Sequence, residues 1–188
     1  MAYLLKSARY LAADCHRQVL EPGDRVIDAT CGNGQDTCML AQLVGDGGKV
    51  FAFDVQAAAI EKTKELLMRE NLLRQCDLHH MGHEHVLNVV KEPVKLAVFN
   101  LGWLPGGDKS ITTHWESTQM AIEGCLALLT PGGVCTICVY PGHAEGDRER
   151  MALEGWLAAR PPQQFNILHQ RFVNAGPGAP ECYILQKQ

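Results

Sequence analysis

Aromatic residues are scarce in this 188-residue chain, at 6%, and no apolar run approaches the roughly 20 residues that a membrane-spanning helix needs. That absence excludes a chain built on helical membrane spans. The opening stretch, MAYLLKSARYLAADCHRQVL, places Lys, Arg and Asp inside its apolar pattern. It therefore reads as an amphipathic helix and not as a signal peptide. Positive charge is also short. Seventeen Lys and Arg face 21 Asp and Glu, a net charge of -4. This excludes a nucleic-acid binder that works through a globally basic field. RNA contact would have to come from a local patch, or from a homodimer that joins two such patches. Metal-binding spacing is missing too. HHMGHEH (79–85) carries four histidines but no H-E-x-x-H, and His79 and His80 point apart on a strand, so no metal is expected. The eight cysteines lie at unrelated spacings, and the one C-x-x-C pair, Cys135 and Cys138, falls in the strand-like run GGVCTICVY. Side chains three apart on a strand face opposite ways. Reduced, buried cysteines in a cytoplasmic protein are the reading that remains.

What is present is a core. With 46% hydrophobic residues the chain is read as one domain over 1–188. Strand-like runs at 25–30, 49–55, 76–81, 94–101 and 134–140 alternate with helical patterns at 34–44, 56–71, 84–91, 114–129 and 146–159. Pro131-Gly132-Gly133 should separate the fourth of these helices from the next strand. Alternation of this kind predicts an α/β, Rossmann-like doubly wound, seven-stranded and mostly parallel sheet. Runs at 164–172 and 181–187 close the chain with only VNAGPGAP between them, so the C-terminal hairpin should contribute one antiparallel strand.

Ligands of such sheets bind beyond the carboxyl ends of the strands. The first strand ends in DATCGNGQD, where Asp28 precedes Gly32-Asn33-Gly34. A dinucleotide fingerprint needs a third glycine at position 37, and Thr37 stands there. This argues against a nicotinamide-dependent oxidoreductase and suits a ligand with adenosine and a charged amino-acid tail. Asp54 ends the second strand, placed to accept ribose hydroxyls or to cap the next helix. His83 and Glu84 follow the third strand, to line an adenine pocket or cap a helix. The fourth strand ends in NLGWLPGGDKS (100–110). Asn100 and Trp103 have the outline of an amine-binding loop, an amide oxygen taking the amine and a ring stacking on its base. Tyr140 and His143, in YPGHAEGD, end the fifth strand beside it, and an imidazole there can take a proton.

Together VIDATCGNGQDT, FAFDVQ, GHE, FNLGWLPGGDKSITT and YPGHAEG resemble a family of bacterial class I S-adenosylmethionine-dependent methyltransferases. That family is catalogued as rRNA methylases and includes the tRNA 5-(aminomethyl)-2-thiouridine methyltransferase. The resemblance runs from about Lys6 to Lys187. Trp103 stands where the family pattern has Tyr, which keeps a stacking ring and loses a hydroxyl. The resemblance implies S-adenosyl-L-methionine as cofactor. Asp28 and the Cys31, Gly32, Asn33, Gly34, Gln35 and Asp36 loop would hold its methionine end, Asp54 and Gln56 its ribose side, and Gly82, His83 and Glu84 its adenine. Asn100 would orient the amine, at the junction of cofactor and acceptor, while Asp108 or His143 takes the proton. Trp103 or Tyr140 would stack on the acceptor base, and Lys109, Ser110, Arg148 and Arg150 would meet the RNA. The implied acceptor is a tRNA wobble uridine; a ribosomal RNA base amine and a small-molecule amine remain open.

Overall fold

A computed structural model of the chain describes residues 7–104, 106–108, 110–176 and 178–188. The order is α1 (Ala8–Val19), β1 (Arg25–Asp28), α2 (Gln35–Val44), β2 (Lys49–Asp54), α3 (Ala57–Arg69), β3 (Cys76–His80), α4 (Val86–Val89), β4 (Val94–Asn100), α5 (Trp115–Leu128), β5 (Leu129–Val139), α6 (Ala144–Ala158), β6 (Phe165–Gln170) and β7 (Glu181–Lys187). The described residues form a seven-stranded sheet in the order β3-β2-β1-β4-β5-β7-β6. β7 runs antiparallel to both neighbours, β5 and β6, which is the reversed strand that the short C-terminal connection requires.

Both faces of the central strands are covered, so they read as continuous apolar runs. Leu96 and Val98 of β4 join Val26, Leu40 of α2 and Leu67 of α3 on one face. Ala97 and Phe99 join Ile27, Ile122 of α5 and Leu153 of α6 on the other. The same alternation separates Cys135 from Cys138, which lie in different clusters, and all eight cysteines are free thiols. α3 forms from good helix formers and buries Ala59, Ile60, Thr63, Leu66 and Leu67, a three-to-four-residue period. It stops where Asn71 turns to φ 60, with Leu72 N–H bonded to Leu67 C=O, a Schellman ending.

The boundary between α5 and its strand differs from the sequence expectation. Pro131-Gly132-Gly133 does not separate α5 from its strand. β5 begins at Leu129, and its pairing steps from Val94–Leu129 to Leu96–Val134. The extra residues are absorbed as an irregularity in which Gly132 takes φ +71, a conformation L side chains resist.

β1 lies between β2 and β4, so the chain reverses its direction of travel across the sheet at the β1/β4 boundary. The crevice at their carboxyl ends is where ligands of such sheets bind. α1 closes one side of it. Its His16 Nε2 lies 2.8 Å from Thr136 Oγ1 of β5, buried, and its Arg9 reaches the crevice.

Candidate active site

A cleft of about 800 Å³ occupies the crevice. This is the size range of sites that enclose a cofactor-sized ligand. Residues following β1, β2, β3, β4 and β5 line it, with Arg9 from α1.

Its first half is built around Asp54. One carboxylate oxygen accepts from Gly32 N–H at 3.0 Å and the other from Gln56 N–H at 2.9 Å. Each oxygen keeps a lone pair, so the group can still accept hydroxyls from the cleft. Gly32 adopts φ +53, and a Cβ there would sit 3.1 Å from Leu104 Cδ1. Gly34 adopts φ +81, and a Cβ there would come within 2.9 Å of the Thr63 backbone. These two glycines let the loop turn tightly against α3, where Thr63 Oγ1 donates to Gly32 C=O at 3.0 Å. At the other end of this half His83 is buried, its Nδ1–H donating to Ala29 C=O at 3.1 Å. Burial lowers its pKa, so the ring is neutral. Glu84 folds back over Gly82, and its carboxylate fills the space that any Cβ at Gly82 would need.

The second half follows β4. Asn100 N–H donates to Thr30 Oγ1 at 2.7 Å, and its Nδ2 donates to Asp36 at 2.8 Å. A carboxylate only accepts, so the amide is fixed with its nitrogen on Asp36 and its oxygen left for an incoming donor. Asp36 is itself gripped by Arg9, through Nε at 3.0 and 3.1 Å and Nη2 at 2.6 Å. Beyond Asn100 the chain doubles back. Trp103 bridges Thr112, and Gly102 N–H donates to Thr113 Oγ1 at 2.9 Å. The Trp103 ring lies 4.2 Å from the ring of His143.

Most residues singled out in the sequence come together here. Cys31, Gly32, Asn33, Gln35 and Asp36 line the cleft with Asp54, Gln56, Gly82, His83 and Glu84. So do Asn100, Trp103, Ser110, Tyr140 and His143. Four of the residues fall outside the lining or outside the described residues. Asp28 does not line the cleft. It is fully buried beneath the loop, accepting from Thr37 Oγ1 at 2.6 Å and Thr30 N–H at 3.3 Å, and burial pushes its pKa up to about 7. Gly34 stands behind the lining, as the helix-start turn of α2. Asp108 is exposed and closes a local turn, accepting from Ser110 N–H and Ser110 Oγ at 2.8 Å. Those bonds lower its pKa, which makes it a weaker base and not a stronger one. Lys109 lies outside the described residues.

His143 reaches the cleft but is not arranged as a proton acceptor. Its Nδ1 accepts from Gly146 N–H at 3.1 Å, capping α6. With Nδ1 accepting, the ring can donate only through Nε2, which is buried with no hydrogen-bond partner among the described residues. The cap also explains why α6 begins at Ala144, two residues before the sequence pattern announces it. Cys31 is no nucleophile either, since burial pushes its thiol pKa far up.

Three polar residues were missed. Arg9 grips Asp36 across 27 residues of sequence, and Thr113 and Glu149 meet across 36. No short motif announces contacts of that span. The Arg inside an amphipathic helix was the one visible signal for the first.

Residues 50–186 match the family described as "Putative rRNA methylase". An Arabidopsis thaliana protein named "tRNA (mnm(5)s(2)U34)-methyltransferase, chloroplastic" is 39% identical over 97% of this chain and 70% of its own length. The chain belongs to this rRNA methylase family. Its fold agrees closely with solved relatives. An rRNA-methylase of Clostridium thermocellum superimposes with a TM-score of 0.97 at 35% identity, covering 99% of this chain and all of that one. A methyltransferase of Streptococcus mutans, solved in complex with SAH, superimposes with a TM-score of 0.90 at 35% identity, covering 98% of this chain and all of that one. For the rRNA methylase family member described here, the doubly wound sheet is thus the shared framework.

Proposed function

We propose that the chain, acting as one domain, is an S-adenosyl-L-methionine-dependent methyltransferase that N-methylates the 5-aminomethyl group of a tRNA wobble 2-thiouridine. The observation that carries this reading is the Asn100 amide, its nitrogen held by Asp36 so that its oxygen remains for an amine donor, in the cleft that Trp103 also lines. The likeness to the Arabidopsis tRNA methyltransferase supports the acceptor. The family description favours a second reading, a base amine of ribosomal RNA. A nicotinamide-dependent oxidoreductase falls away with family membership.

The cofactor fits the residues present. Gly32 and Gly34 leave backbone where a side chain would intrude, Asp54 keeps lone pairs for a ribose, and neutral His83 with Gly82 and Glu84 borders the adenine end. Asn33, Gln35 and Asp36 border the amino-acid end. When bound, the cofactor supplies a methyl group on a cationic sulfur. The charged side chains described in the cleft are Asp36, Asp54 and Glu84 against Arg9, an acidic balance that favours a cationic cofactor and an alkylammonium alike. Asn100 orients the amine, and Trp103 with Tyr140 stacks on the base. Such orientation contributes on the order of 7–11 kcal/mol at best. Three candidates for the amine's proton are otherwise engaged: Asp36 by Arg9 and Asn100, His143 by its cap, and Asp108 by its turn. The amine gives its proton to water. Ser110, Arg148, Arg150 and Lys109 surround the acceptor loop in space or sequence and are assigned to the RNA. A homodimer joining two such rims would supply the positive surface that a net charge of -4 lacks. Eight free cysteines suit a reducing compartment, and we assign the protein to the cytoplasm.

The test is methyl transfer from labelled S-adenosylmethionine to two RNA pools, tRNA and ribosomal RNA, taken from cells lacking this gene. Label recovered in tRNA as 5-methylaminomethyl-2-thiouridine supports the reading. Label confined to ribosomal RNA moves the acceptor to the second reading, and no label in either pool with SAH still bound points to a small amine.

A further inference from the structure

We infer that Glu149, although it does not line the cleft, is a positioning residue that holds the acceptor loop through Thr113. The inference rests on the acceptor assignment of the 100–113 segment. Glu149 is 2% exposed on the second turn of α6. One carboxylate oxygen accepts from Thr113 Oγ1 at 2.6 Å, and the other accepts from Thr118 Oγ1 of α5 at 2.6 Å. Thr113 Oγ1 in turn accepts from Gly102 N–H at 2.9 Å, and Thr113 N–H donates to Gly102 C=O at 3.2 Å. Gly102 lies two residues after Asn100 and one before Trp103. A continuous chain of hydrogen bonds therefore runs from a buried carboxylate to the backbone between the two residues that take the amine and its base.

The chemistry of the carboxylate is specific to this task. Among the described residues no cation pairs with Glu149, and burial pushes its pKa up. Burying such a group is costly unless its acceptors are used. Both are used, each by a hydroxyl that can donate only once. Thr113 donates to Glu149 and so presents a lone pair to Gly102; its direction is set from α6. The same helix presents His143 to the Trp103 ring. α6 thus grips the acceptor loop twice, six residues apart, while the cofactor half is held by Asp54 without it.

Two disrupting variants and one restoring variant test this. Glu149→Gln keeps the shape but can accept from only one of the two hydroxyls. Thr113→Val keeps the shape and removes the link, and Thr113→Ser restores the hydroxyl. Losing one hydrogen bond of this kind is expected to speed amide hydrogen exchange at Gly102 by about tenfold. Gly32 and Gln56, the amides held by Asp54, should keep their wild-type rates. The acceptor KM should rise about tenfold in both variants, with SAH affinity unchanged and the KM recovered in Thr113→Ser. Unchanged Gly102 exchange in both variants overturns the inference. Faster exchange at all three amides with weakened SAH binding also overturns it, because the effect is then global. If wild-type protein methylates neither RNA pool but Gly102 exchange responds as stated, the tether stands and the acceptor assignment fails.

Discussion

The two halves of the cleft are held together in different ways. On the cofactor side, Asp54 reaches across to Gly32 and forward to Gln56, and tight glycine turns bring the loop against α3. Every tie uses backbone close to a strand end. On the acceptor side, a segment of more than ten residues follows Asn100 and carries its own side chains into the cleft. It is pinned from a distance, by Arg9 through Asp36 and by α6 through Glu149 and His143. On the proposed assignment the first half would bind a ligand that is always the same molecule, while the second would have to fit a particular acceptor.

The variants that break this comparison most strongly are those at its two centres. Asn100→Ala should lower kcat on the order of a thousandfold, since the amine loses its orienting acceptor. Its SAH affinity, measured by calorimetry, should stay within about threefold of wild type, because the lost contact belongs to the acceptor. Asp54→Ala should do the reverse, raising the SAH dissociation constant about a hundredfold, consistent with about 1.5–3 kcal/mol per hydrogen bond to a charged group.

A third effect is on stability and belongs to the cofactor half alone. Asp28, fully buried under the loop, has its pKa raised from 3.8 to about 7 by burial first and by Asp36 second. A group raised in the folded state contributes stability that is fully present below 3.8 and lost as pH rises through about 7. Between about pH 5 and pH 8 the loss should be about 2–3 kcal/mol. Urea unfolding at the two pH values measures it, and Asp28→Asn should abolish that component. Wild-type stability that tracks Asp28→Asn across the range would show that Asp28 is ionised without cost.

Smaller effects sharpen the acceptor side. Trp103→Ala should raise acceptor KM about tenfold, within the 1–3 kcal/mol of a base–ring stack, and Trp103→Phe should restore part of it. Smallest of all, Asp108→Asn should change kcat/KM by no more than about threefold, and both it and His143→Gln should keep the wild-type rise of rate with pH below the pKa of the amine. A flattened profile in either variant would make that residue the proton acceptor after all.

The sequence made the Asp54 half legible because its residues stand in short motifs at strand ends, although the contacts they make, Asp54 to Gly32 and Thr63 to Gly32, span 22 and 31 residues. G-x-G after one strand and an acid at the end of the next are local patterns with local causes, and the alternation of strands and helices places them at one edge. Asn100 and Trp103 were legible for the same reason. The burial of Asp28 is not visible in the sequence, because a strand-end acid looks alike whether it faces a ligand or lies under the loop, and its partner Thr37 shows there only as a missing glycine. Asp108 was taken for a base although D-x-S is also a local turn, the two side chains closing on each other. His143 was read by its titration range, while its use of Nδ1 depends on where α6 begins. Arg9 shows in the sequence only as a charge inside an amphipathic helix, and Thr113 and Glu149 carry no signal there. Their contacts join residues 27 to 36 apart, and only the packing of α1 and α6 on the sheet creates them.

The most direct measurement takes Asn100→Ala and Asp54→Ala together, with SAH titrated into each and methyl transfer to tRNA from cells lacking the gene followed in parallel at saturating cofactor. The expected result is a crossed pattern. Asn100→Ala binds SAH as wild type does and transfers almost no methyl, while Asp54→Ala binds SAH weakly and regains transfer as cofactor is raised. If Asn100→Ala loses SAH binding as severely as Asp54→Ala, or retains transfer, the division of the cleft into a cofactor half and an acceptor half is wrong.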